Sequence, residues 1–223
     1  MAESELTSRW QRLHDEMDMC NAQMLAVSKY HSDEEIRTVA SCGQRDFAES
    51  RPQSLRDRAQ TFPELNWHMI GPVQKNKAKY VGRFASMWHS LSSFEVAEEV
   101  AKHVSGRLLP VLLQVNISGE AQKYGVDTEQ VAALLEKVRQ LDSLKVIGLM
   151  GMAAKCNDDG SGDESAAARA SFVRLRNLRD QLADASLREL CMGMSGDYRI
   201  AIEEGATMVR LGTVLFGARS QLD

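Results

Sequence analysis

"MLAVSKYHSDEEIRTVASCG", residues 24–43, contains a complete strand-and-helix unit. Met24, Leu25, Ala26 and Val27 form an apolar run that suits a strand buried on both faces. Ser32 follows as a helix N-cap, Glu35 occupies the capping-box position and Gly43 terminates the helix. Lys29 stands between the two elements. A lysine is almost never fully buried without a partner, so Lys29 marks the point where strand gives way to loop.

The same alternation recurs along the chain. Strand patterns at "RDFAES", "NWHMIG" and "ASMWHSLSS" are followed in turn by the helical stretches "PQSLRDRAQTF", "QKNKAKYVGRF" and "FEVAEEVAKHV". Four further strands read from "LLPVLLQVNIS", "LKVIGLMGM", "LRELCMGM" and "TMVRLGTVLFG", separated by helices beginning near Thr128, Ala166 and Asp197. Ahead of them, Leu6, Trp10, Leu13 and Met17 at helical spacing predict an amphipathic helix over about 3–21. Eight strands alternating with helices in 223 residues predict an α/β fold, a single (β/α)8 TIM barrel over 1–223. A doubly wound open sheet is the rival. The polar loop at 153–165 reads as a surface excursion, not a domain linker.

Composition narrows the function classes. The 27 basic and 31 acidic residues give a net charge of −4, which offers nucleic acid or anionic lipid no global basic field. The lysines of "QKNKAKY" read as a solvated helix face. Cys20, Cys42, Cys156 and Cys191 form no CxxC pair, so neither a metal site nor a disulfide framework is expected. There is no hydrophobic signal region and no apolar run of membrane-spanning length, so the expected location is the cytoplasm. The methionine-rich strands, and Trp10, Trp67 and Trp88, read as packing residues.

In such a barrel, chemistry belongs at the C-terminal ends of the strands. Lys29 ends strand one, His68 lies in strand three, Asn116 and Ser118 end strand five, Met194-Ser195-Gly196 ends strand seven, and Arg210 to Thr213 lie within strand eight. A lysine at this mouth, desolvated by apolar strand ends, has access to the neutral amine that a Schiff base requires. Taken alone it is more often a snorkelling surface residue. Ser195 and Thr213 supply hydroxyls, Gly196 and Gly212 let a phosphate approach the backbone, and a helix starting near Asp197 would aim its N-terminus at it. Arg210, embedded in "TMVRLGTVLF", must face a polar cavity or remain an unpaired buried charge. Opposite a pyridine nitrogen, its guanidinium would hold that nitrogen unprotonated and weaken the ring as an electron sink.

"LAVSK", "WHMIGPVQKNK", "VNISGEAQKYG", "GLMGM", "LCMGMSGD" and "GATMVRLGTVLFGAR", in this order, resemble the pyridoxal phosphate homeostasis proteins of the YggS/PROSC type. These are single-domain barrels similar to the N-terminal domain of alanine racemase. The resemblance implies that Lys29 forms an internal aldimine with pyridoxal 5′-phosphate, that Arg210 faces the ring nitrogen, and that Ser195, Gly196, Gly212 and Thr213 contact the phosphate. It also implies pocket contacts from Ser50, His68 and Met150, and makes Lys123 a secondary acceptor lysine for cofactor transfer. Ser50, in "FAES", stands where the family commonly has the asparagine of "FGEN".

The implied function is pyridoxal 5′-phosphate homeostasis, by buffering the cofactor or delivering it to apo forms of dependent enzymes. The protein is expected to be a monomer without robust turnover. The alternative is a weakly active amino-acid racemase or lyase, which needs a second acid–base group. In alanine racemases that tyrosine comes from a partner subunit's extra C-terminal domain, whereas this chain ends at Asp223. His68, Tyr30 and Tyr124 are the internal candidates, each with an ordinary structural reading. A phosphosugar-binding barrel would explain Ser195, Gly212 and Thr213 but give Lys29 and Arg210 no shared purpose.

Overall fold

The structure, a computed structural model, describes residues 2–118, 125–154 and 163–217. A helix α1 (Ala2–Cys20) precedes β1 (Gln23–Val27) and α2 (Asp33–Ser41). The capping box before α2 is complete: Glu35 N donates to Ser32 Oγ at 3.2 Å, and Ser32 N donates to the Glu35 carboxylate at 2.7 Å. The alternation continues through β2 (Asp46–Glu49), α3 (Pro52–Thr61), β3 (Asn66–Met69), α4 (Ala78–Phe84), β4 (Met87–Leu91), α5 (Phe94–Ala101) and β5 (Leu109–Val115). It then runs through α6 (Val131–Val138), β6 (Leu144–Gly151), α7 (Glu164–Leu182), β7 (Glu189–Met194), α8 (Tyr198–Glu203), β8 (Met208–Leu211) and α9 (Thr213–Phe216).

Neighbouring strands pair in parallel and in sequence order, and β8 closes onto β1 with Leu25 opposite Arg210 and Ala26 opposite Leu211. Closure excludes the open sheet. Two expected strands end early. "TMVRLGTVLFG" is strand only to Leu211; Gly212 (φ −112°, ψ −84°) leaves the extended region, and its carbonyl accepts from Leu215 N and Phe216 N to start α9. β5 stops at Val115, because Asn116 N donates instead to Val126 O at 2.9 Å.

The outward faces of the strands pack under the helices, where Phe47, Trp67, Trp88 and Phe172 are fully buried. Inside the barrel lie two smaller apolar clusters, Leu25, Val27 and Ala48 in one, and Leu112, Met150, Cys191 and Met208 in the other. α1 buries Leu6, Trp10, Leu13 and Met17 and packs against α2, β1 and α9. Removing Leu6, Leu13 and Met17 from water contributes roughly 1.5–3 kcal/mol each. None of the described helices is long and apolar enough to cross a membrane. Lys123, Tyr124, Cys156 and residues 155–162 of the polar loop lie outside the described residues.

Candidate functional site

The loops at the C-terminal mouth enclose a cavity of about 410 Å³. Lys29, Ser50, Ser195, Gly196, Arg210, Gly212 and Thr213 all line it. Gly71, Pro72, Gln114 and Met152 complete much of the remaining wall. Lys29 and Arg210 reach it from neighbouring strands, since β1 and β8 are paired.

Four residues expected at the mouth do not line the cavity, and two of them are Asn116 and Ser118, just beyond β5, where the Ser118 hydroxyl donates to Asn116 Oδ1 at 3.0 Å. His68 is buried one layer lower, with Nε2 3.2 Å from Asp46 and Nδ1 2.8 Å from His89. Met150 is fully buried, with its Sδ 3.5 Å from Arg210 Nη1. The side-chain alternation of a strand explains the exchange: two residues farther on, Met152 stands at the rim and lines the cavity.

The β1 end is held from below by a group that sequence reasoning passed over. Glu49 is 3% exposed and accepts a 2.9 Å hydrogen bond from the Ser28 hydroxyl. Burial raises its carboxyl pKa, opposed by the Ser28 hydrogen bond and by the charges of Arg58 and Lys29. Arg58 lies 3.9 Å from Glu49 and also binds Asp33 and the His31 carbonyl, tying the loop after Lys29 to β2 and α2. His31 stacks on Phe216, ring centroids 4.3 Å apart, and so joins this loop to α9. The available signal was a glutamate inside the strand pattern "RDFAES". Tyr30, beside Lys29, is exposed with φ 73°.

On the other side, Ser195 Oγ accepts from Gly212 N and Val214 N, both at 3.3 Å. That leaves its own hydroxyl proton available to donate. A Cβ built on Gly196 would meet no protein atom within 4 Å, so the wall is open at that position. Hydroxyls of Ser195 and Thr213 and the open backbone at Gly196, with Gly212 beside them in the cavity wall, suit a phosphate.

Arg210 is 5% exposed. Its Nη2 donates to Gly151 O at 3.3 Å and Nη1 has only the Met150 sulfur, while Nε has no hydrogen-bond partner. A buried guanidinium with an unsatisfied N–H is costly unless something in the cavity accepts from it. A pyridine nitrogen is such an acceptor. The donor set therefore fits a phosphorylated pyridine aldehyde, with Lys29 as the amine.

Comparison with known proteins supports the same grouping. The family described as alanine racemase, N-terminal domain, matches residues 2–220. A pyridoxal phosphate homeostasis protein of Pseudomonas aeruginosa is 40% identical over 206 residues, covering 91% of this chain and 86% of that protein. PipY of Synechococcus elongatus, solved with PLP bound, aligns with a TM-score of 0.81 at 32% identity, covering 95% of this chain and 100% of that one. Alanine racemase of Clostridium difficile shares the fold, with a TM-score of 0.73 at 14% identity over 97% of this chain and 58% of that one. This chain belongs to the pyridoxal phosphate homeostasis protein family, built on the alanine racemase N-terminal domain.

Proposed function

We propose that the protein binds pyridoxal 5′-phosphate, holds it as a Schiff base on Lys29, and buffers it or delivers it to apo-enzymes in the cytoplasm, as a monomer. Arg210 would face the ring nitrogen, and Ser195, Gly196, Gly212 and Thr213 would hold the phosphate. Ser50 would contact the ligand from the β2 end. His68 and Met150 would act from beneath the site, without lining it. Lys123 would serve as the secondary acceptor during transfer. The bound aldehyde supplies the electrophile; the chain's own contribution is an amine, a fixed positive charge and a cradle of donors.

The buried, incompletely satisfied guanidinium of Arg210, lining the same cavity as Lys29, carries this reading, because a donor set left unpaired by the protein suits a ligand acceptor there. A carrier role also agrees with the ionisable groups lining the cavity among the described residues, which are Lys29 and Arg210. Racemisation by two opposed acid–base groups needs a second proton carrier on the other ring face. The test is borohydride reduction of the protein after incubation with pyridoxal 5′-phosphate, followed by peptide mass mapping. A phosphopyridoxyl mass on the Lys29 peptide supports the reading. An unmodified Lys29 peptide overturns it and leaves a plain phosphate-binding barrel.

A further inference from the structure

Beneath the cavity, four polar side chains from four strands form a line through the barrel interior. Asp46 of β2 lies 3.2 Å from His68 Nε2, His68 Nδ1 lies 2.8 Å from His89 Nε2, and His89 Nδ1 lies 3.3 Å from Cys191 Sγ. His89 and Cys191 are fully buried, and His68 is nearly so. Among the described residues no three such side chains converge on a metal position. The groups run end to end.

The hydrogen bonds can be oriented from one end. Asp46 lies part-exposed at the start of β2, and its Oδ1 already accepts from Asn66 Nδ2 at 3.0 Å, so it presents a carboxylate oxygen to His68. An ionised carboxylate only accepts, so His68 donates from Nε2. In a neutral ring His68 Nδ1 must then accept, His89 must donate from Nε2, and His89 Nδ1 is left to accept from the Cys191 thiol. Each of these ring nitrogens is satisfied when all three bonds point towards Asp46. The opposite arrangement needs an imidazolium at His68.

The far end of this line meets the site. Cys191 pairs with Met150 between β7 and β6, and the Met150 sulfur contacts Arg210. Burial is the main cause that lowers the His89 pKa well below the usual imidazole range, and the nearby Arg210 charge acts in the same direction. Burial also pushes the Cys191 thiol up to about 11, with Arg210 pulling it down and Glu189 pushing it further up.

We infer that Asp46, His68, His89 and Cys191 form a hydrogen-bonded chain pointing towards the Asp46 carboxylate, which keeps both imidazoles and the Cys191 thiol beneath Arg210 neutral. His89 and Cys191 are positioning residues: they hold the space below Arg210 without a competing cation, so that its positive charge acts on the ligand ring. This role rests on the cofactor assignment proposed above, whereas the direction of the chain does not.

Long-range 1H–15N correlation spectra of the full chain, labelled at histidine and recorded without cofactor, test the direction. His68→Gln and His89→Gln variants assign the two signals. The expected result is a neutral ring protonated at Nε2 for both His68 and His89. A doubly protonated His68, or His89 carrying its proton on Nδ1, overturns the inference. The service to the site is tested in Cys191→Ala, which removes the terminal donor, and Cys191→Ser, which keeps one. With pyridoxal 5′-phosphate added, the visible absorption maximum is expected to shift in C191A and return to the wild-type position in C191S. An unshifted C191A overturns the electrostatic role even where the tautomers are as expected. A wild-type protein with no visible band overturns the cofactor assignment and this service with it, a failure that the cofactor-free spectra distinguish from a wrong chain direction.

Discussion

The barrel interior has two levels that treat polar groups in opposite ways. On the floor, Asp46, His68, His89 and Cys191 satisfy one another from strand to strand. At the mouth, Arg210 Nε has no partner, Gly196 faces open space and Lys29 stands half-buried at the rim. Both levels are built from polar residues set into apolar strands. The difference is that the floor completes its hydrogen bonds internally, whereas the mouth leaves them for something from outside.

The largest effect should come from removing the amine. Lys29→Ala is expected to abolish the borohydride-trapped phosphopyridoxyl adduct while leaving the thermal unfolding midpoint unchanged; an adduct retained elsewhere in the cavity would move the nucleophile off β1. Arg210→Gln should keep the adduct but shift its absorption and weaken pyridoxal 5′-phosphate binding by roughly 10–100-fold, the worth of a hydrogen bond from a charged donor. An unchanged spectrum would break the pairing of this guanidinium with the ring.

Two glycines sharpen the contrast between ligand space and packed space. Gly196→Ala keeps the backbone N–H but sets a methyl in the open space beside it, so it should weaken pyridoxal 5′-phosphate binding about tenfold with little change in stability. Gly71→Ala places a methyl 2.0 Å from the Ser50 carbonyl, so it should cost roughly 1–3 kcal/mol of stability in urea titrations, through overpacking. Equal stability losses in the two variants would erase the distinction.

The smallest effect lies outside both levels. Glu16 of α1 accepts from Arg199 at 2.7 Å and from the Tyr198 hydroxyl at 3.0 Å, anchoring α8 immediately after Gly196. The Arg199 hydrogen bond, against burial and with help from Tyr198, lowers the Glu16 pKa. A lowered carboxyl pKa contributes stability above the unfolded-state value that is lost as pH falls through the folded-state value. Glu16→Gln should therefore cost under about 1 kcal/mol at neutral pH, and the gap from wild type should close in acid. A gap that persists at pH well below the glutamate range would assign the effect to packing.

Much of this architecture was legible because it is written locally. The strand runs, the Ser32 capping box and the helix starts each depend on neighbours in sequence, and they lead directly to the barrel. Lys29, Ser195, Gly196, Arg210, Gly212 and Thr213 were legible because a parallel barrel gathers strand ends at one mouth. The floor was not. "MWHSL" and "LRELCMGM" give no sign that His89 meets Cys191, since that contact joins residues 102 positions apart through the barrel interior. The break at Gly212 was hidden by the apolar letters that continue from β8 into α9, and the place of Met152 over Met150 depended on side-chain direction at the rim.

The seam between β1 and β8 also has a consequence in time. Its two strands come from opposite ends of the barrel's sequence, so β1 cannot find its closing neighbour until nearly all of the chain has been synthesised. Between the emergence of Lys29 and Thr213 from a ribosome roughly 10–40 s elapse, at about 5–20 residues per second. Lys29 and the phosphate cradle therefore meet late, and a nascent chain has the amine long before it has the site.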